Sequence, residues 1–189
     1  MIIGIVRHGQ TDYNKRRLIQ GYTDNPLNET GYAQATSLGN FLKTHDTHWD
    51  YLIVSPLIRA IQSAQTIGKE INLDISHTDK RFIERDFGPF EGMSIDDVFP
   101  RIAEDGFSAP NYESNDMIKK RVTDAIFDLY KDHKDKKILI VAHSHVVKSL
   151  LVAALPEVYN FHNYYVLNSS IFYFDVSKEA IKLINQYDI

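Results

Sequence analysis

Three short apolar runs constrain this chain more than any other feature: residues 1–6 (MIIGIV), 51–54 (YLIV) and 138–142 (ILIVA). Each is too short for a buried helix and rich in β-branched residues, so each reads as a strand covered on both faces. Segments with the helical period separate them. Residues 28–43 open on Asn28 as a cap and set Ala35, Leu38, Phe41 and Leu42 on one face. Ser55-Pro56 reads as a second helix start, serine capping and proline at the first helical position, with Ile61, Ala64, Ile67 and Ile71 as its stripe. Residues 113–131 turn Ile118, Val122, Ala125, Ile126 and Leu129 inward, and 146–155 read as a further helix. Residues 169–176 and 180–187 read as a closing pair of strands. The stretch 81–110, rich in glycine and proline, reads as loop with one short helix near 94–99. Strands alternating with helices predict an α/β fold with a mostly parallel sheet and helices on both faces. With no repeat, linker or biased segment, residues 1–189 read as a single domain.

Composition removes several classes of function. There is no cysteine, hence no disulfide, thiolate metal site or thiol nucleophile; this fits a reducing, cytoplasmic setting. Twenty-one Lys and Arg against 25 Asp and Glu give a formal net charge of −4 with no basic block, so a nucleic-acid surface is not expected. The opening apolar run lacks a basic leader, and no run approaches the ~20 residues that cross a bilayer, so no membrane partner is expected. Nothing in the pattern specifies an oligomeric state. His45, His48, His77, His133 and His162 show no metal-ligand spacing and read as surface or structural, so neither a metal nor a cofactor is expected. An anionic substrate therefore needs a local positive pocket.

The strand ends supply one. Ligands of such sheets bind beyond the carboxyl ends of the strands. There the first strand delivers Arg7 and His8, the second leads within one helical turn to Arg59, and the third ends at His143. Guanidinium groups match phosphate oxygens bidentately, and histidine can attack phosphorus or donate to its oxygens. Taken singly, a histidine after a strand can be a core residue bonded to backbone, and a lone arginine is more often a surface ion-pair partner. Their convergence on one edge favours a phosphate site.

These residues also carry a resemblance. RHGQTDYN at 7–14 resembles the signature of the histidine phosphatase superfamily, which includes the cofactor-dependent phosphoglycerate mutases. QGYTDNPLNETGYAQA at 20–35, SPLIRAIQSAQTI at 55–67, FIERDFGPFEG at 82–92 and VAHSHVVKSLL at 141–151 are similar to later segments of that family, in the same order. The resemblance implies that His8 is the nucleophile, forming a phosphohistidine, and that Arg7, Arg59 and His143 surround the phosphoryl oxygens. It implies that Glu84 protonates the leaving oxygen and then activates water, although Asp86 and Glu91 share its loop. Asn14, Gln20 and Gly21 match positions bordering the pocket. Ser144 and His145 depart from the family, which commonly has glycine after the second histidine; they read as substrate contacts, or as a helix start with Ser144 as cap. Phe87, Phe90, Tyr22 and Tyr112 are candidates to touch the alcohol part of a substrate.

The expected activity is hydrolysis of small phosphate monoesters through a phosphohistidine on His8. The segment 92–113 is short and offers only Arg101 to grip a second anion, while Glu104 and Asp105 would repel one. That favours a phosphatase over the alternative, a phosphoglycerate mutase. A non-catalytic phosphate binder, the second alternative, has no use for an acid–base group.

Overall fold

A computed structural model describes residues 1–104 and 106–189; Asp105 lies outside the described residues. Six strands form one sheet: β1 (Ile2–Arg7), β2 (Tyr51–Val54), β3 (His77–Thr78), β4 (Lys137–Ala142), β5 (Ile171–Val176) and β6 (Ile181–Tyr187). Their order is β3-β2-β4-β1-β5-β6. The first four in that order run parallel, whereas β5 is antiparallel to β1 and β6 to β5. The closing pair turns back because a short connection joins antiparallel strands, while a parallel crossover needs a helix. Among the described residues six α-helices complete the fold: α1 (Asp12–Lys15), α2 (Glu29–His45), α3 (Ile58–Ile71), α4 (Ile95–Ile102), α5 (Asn115–Asp132) and α6 (Ser144–Ala154).

Side chains alternate across a strand, so the β-branched runs feed two cores at once. Ile3 and Ile5 of β1 pair in register with Ile138 and Ile140 of β4 and pack beneath α5 and α6, against Ile118, Val122, Ile126 and Leu150. Val6, Leu52, Val54, Leu139 and Val141 face the other way, against Ala35, Leu38 and Leu42 of α2 and Ala60, Ala64 and Ile67 of α3. Helices therefore cover both faces, as the sequence predicts. The register has a second consequence. Val54 lies beside Val141, and Arg7 beside Ala142, so β2, β4 and β1 end level with one another.

Three helix starts differ from expectation; α5 begins at Asn115, capped by Ser114, two residues after Glu113. α3 begins at Ile58, and its cap, Leu57, makes no side-chain bond. Ser55 instead shares a 2.7 Å hydrogen bond with His143 Nε2, and Pro56 sits in the loop before the helix. α6 begins two residues earlier than its apolar stripe suggests: His143 is the N-cap and Ser144 the first helical residue, not the cap. The loop helix α4 extends to Ile102, through Pro100, because Val98 and Ile102 are buried with Ile19, Phe87 and Phe90 in a third small core. Both α1 and β3 are shorter than any readable period.

Candidate active site

His8 lies one residue past β1, and its backbone N–H donates to Ala142 O of β4 at 3.0 Å. Its ring is buried, with Nδ1 2.7 Å from the carbonyl of Gly9. A carbonyl only accepts, so Nδ1 carries the proton and Nε2 is the bare nitrogen. Arg59 Nε donates to that Nε2 at 3.3 Å. Burial, then the neighbouring Arg59, His143 and Arg7, push the ring well below the ordinary histidine range, so it is neutral at physiological pH. The turn is tight: a Cβ on Gly9 would lie 2.3 Å from the backbone oxygen of Gly31 in α2. Gly9 N–H also donates to Ser63 of α3 at 3.0 Å. Glycine is required here because two backbones meet.

Arg59 and His143 are fully buried beside His8, the two imidazole rings 5.1 Å apart. Arg59 is held by the carbonyls of Thr23 at 2.8 Å and Gly21 at 2.7 Å. Burial lowers its guanidinium to about 10, which leaves it charged at neutral pH. His143, kept neutral by burial and by Arg59, spends Nε2 on Ser55 and leaves Nδ1 without a partner. Arg7 donates through one terminal nitrogen to Val166 O, lies 5.6 Å from the Tyr165 ring, and has its Nε unpartnered. Gln20 accepts from Thr11 at 2.8 Å and likewise leaves its buried amide nitrogen unspent. Buried donors normally find acceptors. Unspent donors on Arg7 and Gln20 and the open Nδ1 of His143, around one unprotonated imidazole nitrogen, make a site fitted to an anion with several oxygens.

Glu84 enters from the segment after the 3-10 turn Lys80–Phe82. Arg121 of α5 fixes that segment by donating to the carbonyls of Arg81 at 2.7 Å and Ile83 at 3.0 Å, while paired with Glu113. Glu84 is buried and accepts from the N–H of Arg85 at 2.8 Å and of His145 at 3.2 Å. Burial alone would raise its carboxyl, but His145, His143 and the amide of Arg85 outweigh it and hold the acid below the usual carboxylate range. The neighbouring acids have other tasks. Asp86 accepts from Gly88 N–H at 2.8 Å, and Glu91 accepts from the amides of Gly21, Tyr22 and Thr23 at 2.9–3.1 Å.

A cavity of about 340 Å³ opens onto this group, lined by Arg7, His8, Asn14, Gln20, Glu84, Ser144 and His145. Thus seven of the ten sequence candidates face it. Arg59 and His143 stand behind His8, and Gly21 contributes its carbonyl to Arg59. Of the four aromatic candidates only Phe87 lines the cavity. Phe90 and Tyr112 belong to the third core, and Tyr22 is 45 % exposed outside it. His162, read as surface or structural, lies on the rim, and Arg101 stacks over Phe90 at 5.8 Å away from it. Sequence reasoning missed Arg17 and Lys148. Lys148 had a signal: it is the one charged residue in the apolar stretch VVKSLL at 146–151. It donates to Phe161 O at 2.8 Å, and burial lowers it to about 8. Arg17 is paired with Asp96 at the rim. Among the described residues no three His, Asp or Glu side chains gather as metal ligands.

Residues 3–188 match the family model described as histidine phosphatase superfamily, branch 1. The chain is 37 % identical over 147 residues to the uncharacterized phosphatase PhoE of Bacillus subtilis, covering 78 % of this chain and 74 % of that one. It is 29 % identical over 189 residues to a broad-specificity phosphatase of Saccharomyces cerevisiae, covering 95 % and 81 %. The fold is shared with a phosphoserine phosphatase from Entamoeba histolytica solved with 3-phosphoglyceric acid, at a TM-score of 0.86 and 24 % identity over 100 % of this chain and 97 % of that one. It is shared equally with a phosphoglycerate mutase from Bacillus anthracis, at 0.84 and 23 % over 97 % and 91 %. The chain belongs to the histidine phosphatase superfamily, branch 1.

Proposed function

We propose that this protein hydrolyses small phosphate monoesters through a phosphohistidine on His8. The observation that carries the reading is the bare, neutral Nε2 of His8, its ring fixed through Nδ1 by Gly9 O and surrounded by buried, unspent donors. In the first step Nε2 attacks phosphorus as the ester oxygen leaves. Charge on the equatorial oxygens is met by Arg7, Arg59, His143 and the Gln20 amide, placed in advance. Asn14, Ser144 and His145 border the leaving group. Glu84 gives its proton to the departing alkoxide; the phosphate dianion beside it raises the carboxyl far enough to hold that proton. In the second step Glu84 takes a proton from water, which attacks the phosphohistidine and releases inorganic phosphate with His8 restored. The positive charge comes from arginines, so this chemistry needs neither a metal ion nor a cofactor. We place the enzyme in the cytoplasm as one domain spanning residues 1–189, acting on a small molecule rather than nucleic acid or a membrane. Among the described residues no helix is long and apolar enough to cross one.

Hydrolysis is favoured over mutase transfer because, among the described residues lining the cavity, Arg17 is paired with Asp96 and Lys148, which donates to Phe161 O, is left as the one lysine or arginine beyond Arg7 to grip the far end of a substrate. A mutase must grip the far end of its substrate and keep water away while the group returns. Assaying both reactions on one preparation tests this. The expected result is phosphate release from simple monoesters, with little interconversion of 2- and 3-phosphoglycerate even when 2,3-bisphosphoglycerate is supplied. Isomerisation that outruns hydrolysis by a wide margin overturns it.

A further inference from the structure

The two oxygens of Glu84 are unequally engaged. Oε1 accepts from Arg85 N–H at 2.8 Å and His145 N–H at 3.2 Å, and lies 3.5 Å from His145 Nδ1. Oε2 has a single weak contact, with His145 N–H at 3.4 Å. The His145 ring is 4 % exposed and cannot turn freely. Phe87 meets it edge-on at 5.2 Å, Phe161 lies parallel to it at 6.2 Å and Phe99 is tilted at 6.3 Å. Aromatic rings offer no acceptor in their plane, and Nδ1 makes no hydrogen bond in the structure; Glu84 Oε1, 3.5 Å away, is the acceptor it faces. Burial, assisted by Arg85, lowers this imidazole to about 3, so it is neutral and carries one N–H. A bare Nδ1 would set its lone pair against that of the carboxylate 3.5 Å away, so the proton belongs on Nδ1.

Resting on the phosphatase reading above, we propose that His145 is a positioning residue for the acid: its Nδ1–H holds Oε1 and leaves Oε2 as the oxygen that passes the proton to the leaving group and collects it from water. His145 exchanges no proton itself. The proton on Oε2 goes to the alkoxide as the P–O bond breaks and the bond from phosphorus to His8 Nε2 forms. A water proton returns to Oε2 when that second bond is cleaved. Other groups act on Glu84 through their charge or polarity: His143 at the end of β4, Arg59 of α3, Arg85 next in the chain, and Lys148 one turn further along α6. Arg121 of α5 also donates to the Glu84 main-chain oxygen at 3.5 Å. These set the general field, whereas His145 is the side chain aimed at the carboxylate itself.

Removing the N–H removes a donor that favours the ionised acid, so the carboxyl moves up by about one pH unit. His145→Phe suits the aromatic surroundings and His145→Met is a second variant lacking the donor; His145→Gln retains one. The measurement is the pH profile of kcat and kcat/KM on an alkyl phosphate and an aryl phosphate, in the wild type and in a Glu84→Gln background. In both donor-less variants the limb reporting Glu84 moves to higher pH and alkyl turnover falls about tenfold. Gln restores much of both, and in the Glu84→Gln background the substitutions change nothing further. A folded His145→Phe or His145→Met whose limb stays in place overturns the proposal, as does a loss that persists without Glu84. If the wild type forms no phosphoenzyme, the phosphatase reading has failed; a normal phosphoenzyme with an unmoved limb faults His145 alone.

Discussion

The surroundings of His8 suit it to the proposed attack on phosphorus. A histidine in water is half protonated near pH 6.5 and presents two interchangeable nitrogens. Here burial and two arginines keep it neutral, and Gly9 O decides which nitrogen is bare. Arg7, His8 and His143 were legible because strand ends are where this fold class presents ligands, and Arg59 because it follows a strand end within one turn. Glu84 was legible only through resemblance, since nothing in its own loop separates it from Asp86 and Glu91. The separation is tertiary: Arg121 orients the Glu84 segment, and of the three acids only Glu84 lines the cavity. Glu84→Gln is expected to slow turnover of alkyl phosphates by about 10²–10⁴-fold while sparing aryl phosphates, because a nitrophenolate leaves without a proton. Steady-state assays on the two ester classes decide this, and equal losses would assign Glu84 an electrostatic or structural part.

At the scale of elements, the strands and most helices follow from patterns of two and 3.6 residues. What the pattern does not carry is the start of a helix whose capping residue has been taken for the site. Ser55 looks like a cap but serves His143, and His143 occupies a cap position without capping. The helix α2 is docked by a glycine pair that only three-dimensional closeness explains. A Cβ on Gly9 would sit 2.3 Å from Gly31 O, and one on Gly31 2.2 Å from Gln10 O. Neither backbone can yield without moving α2 from β1. Gly9→Ala is therefore expected to cost about 1–3 kcal/mol, as overpacking does. Activity should fall too, since the same peptide holds His8 Nδ1. Urea midpoints and kcat/KM report both effects, and a variant of unchanged stability would show that the contact is loose.

The whole molecule stores its chemistry as buried neutral imidazoles, and that has a price in acid. His8 and His143 lie well below the ordinary histidine value and His145 at about 3, burial being the largest cause for each. Unfolding returns each to about 6.5. Below that pH the unfolded chain binds protons the folded one refuses, so stability falls with pH; above it neither state is protonated and the contribution is flat. Glu84 adds to the loss at lower pH, because its folded carboxyl ionises more readily than the unfolded one. Stability is expected to drop by on the order of 1 kcal/mol per histidine between pH 7 and 5.5. Urea midpoints at the two values measure it, and equal midpoints would mean that these rings accept protons in the folded state.

Fold, cavity and pairing of charges all serve one covalent event, and the phosphoenzyme is its most direct witness. Protein mixed with a labelled phosphate monoester and quenched within milliseconds at alkaline pH should carry label that is stable to base and lost in acid. Peptide mapping should place it on His8, and His8→Ala should carry none and turn over no substrate while remaining folded. Label on another residue, or substantial hydrolysis by folded His8→Ala, would contradict the account.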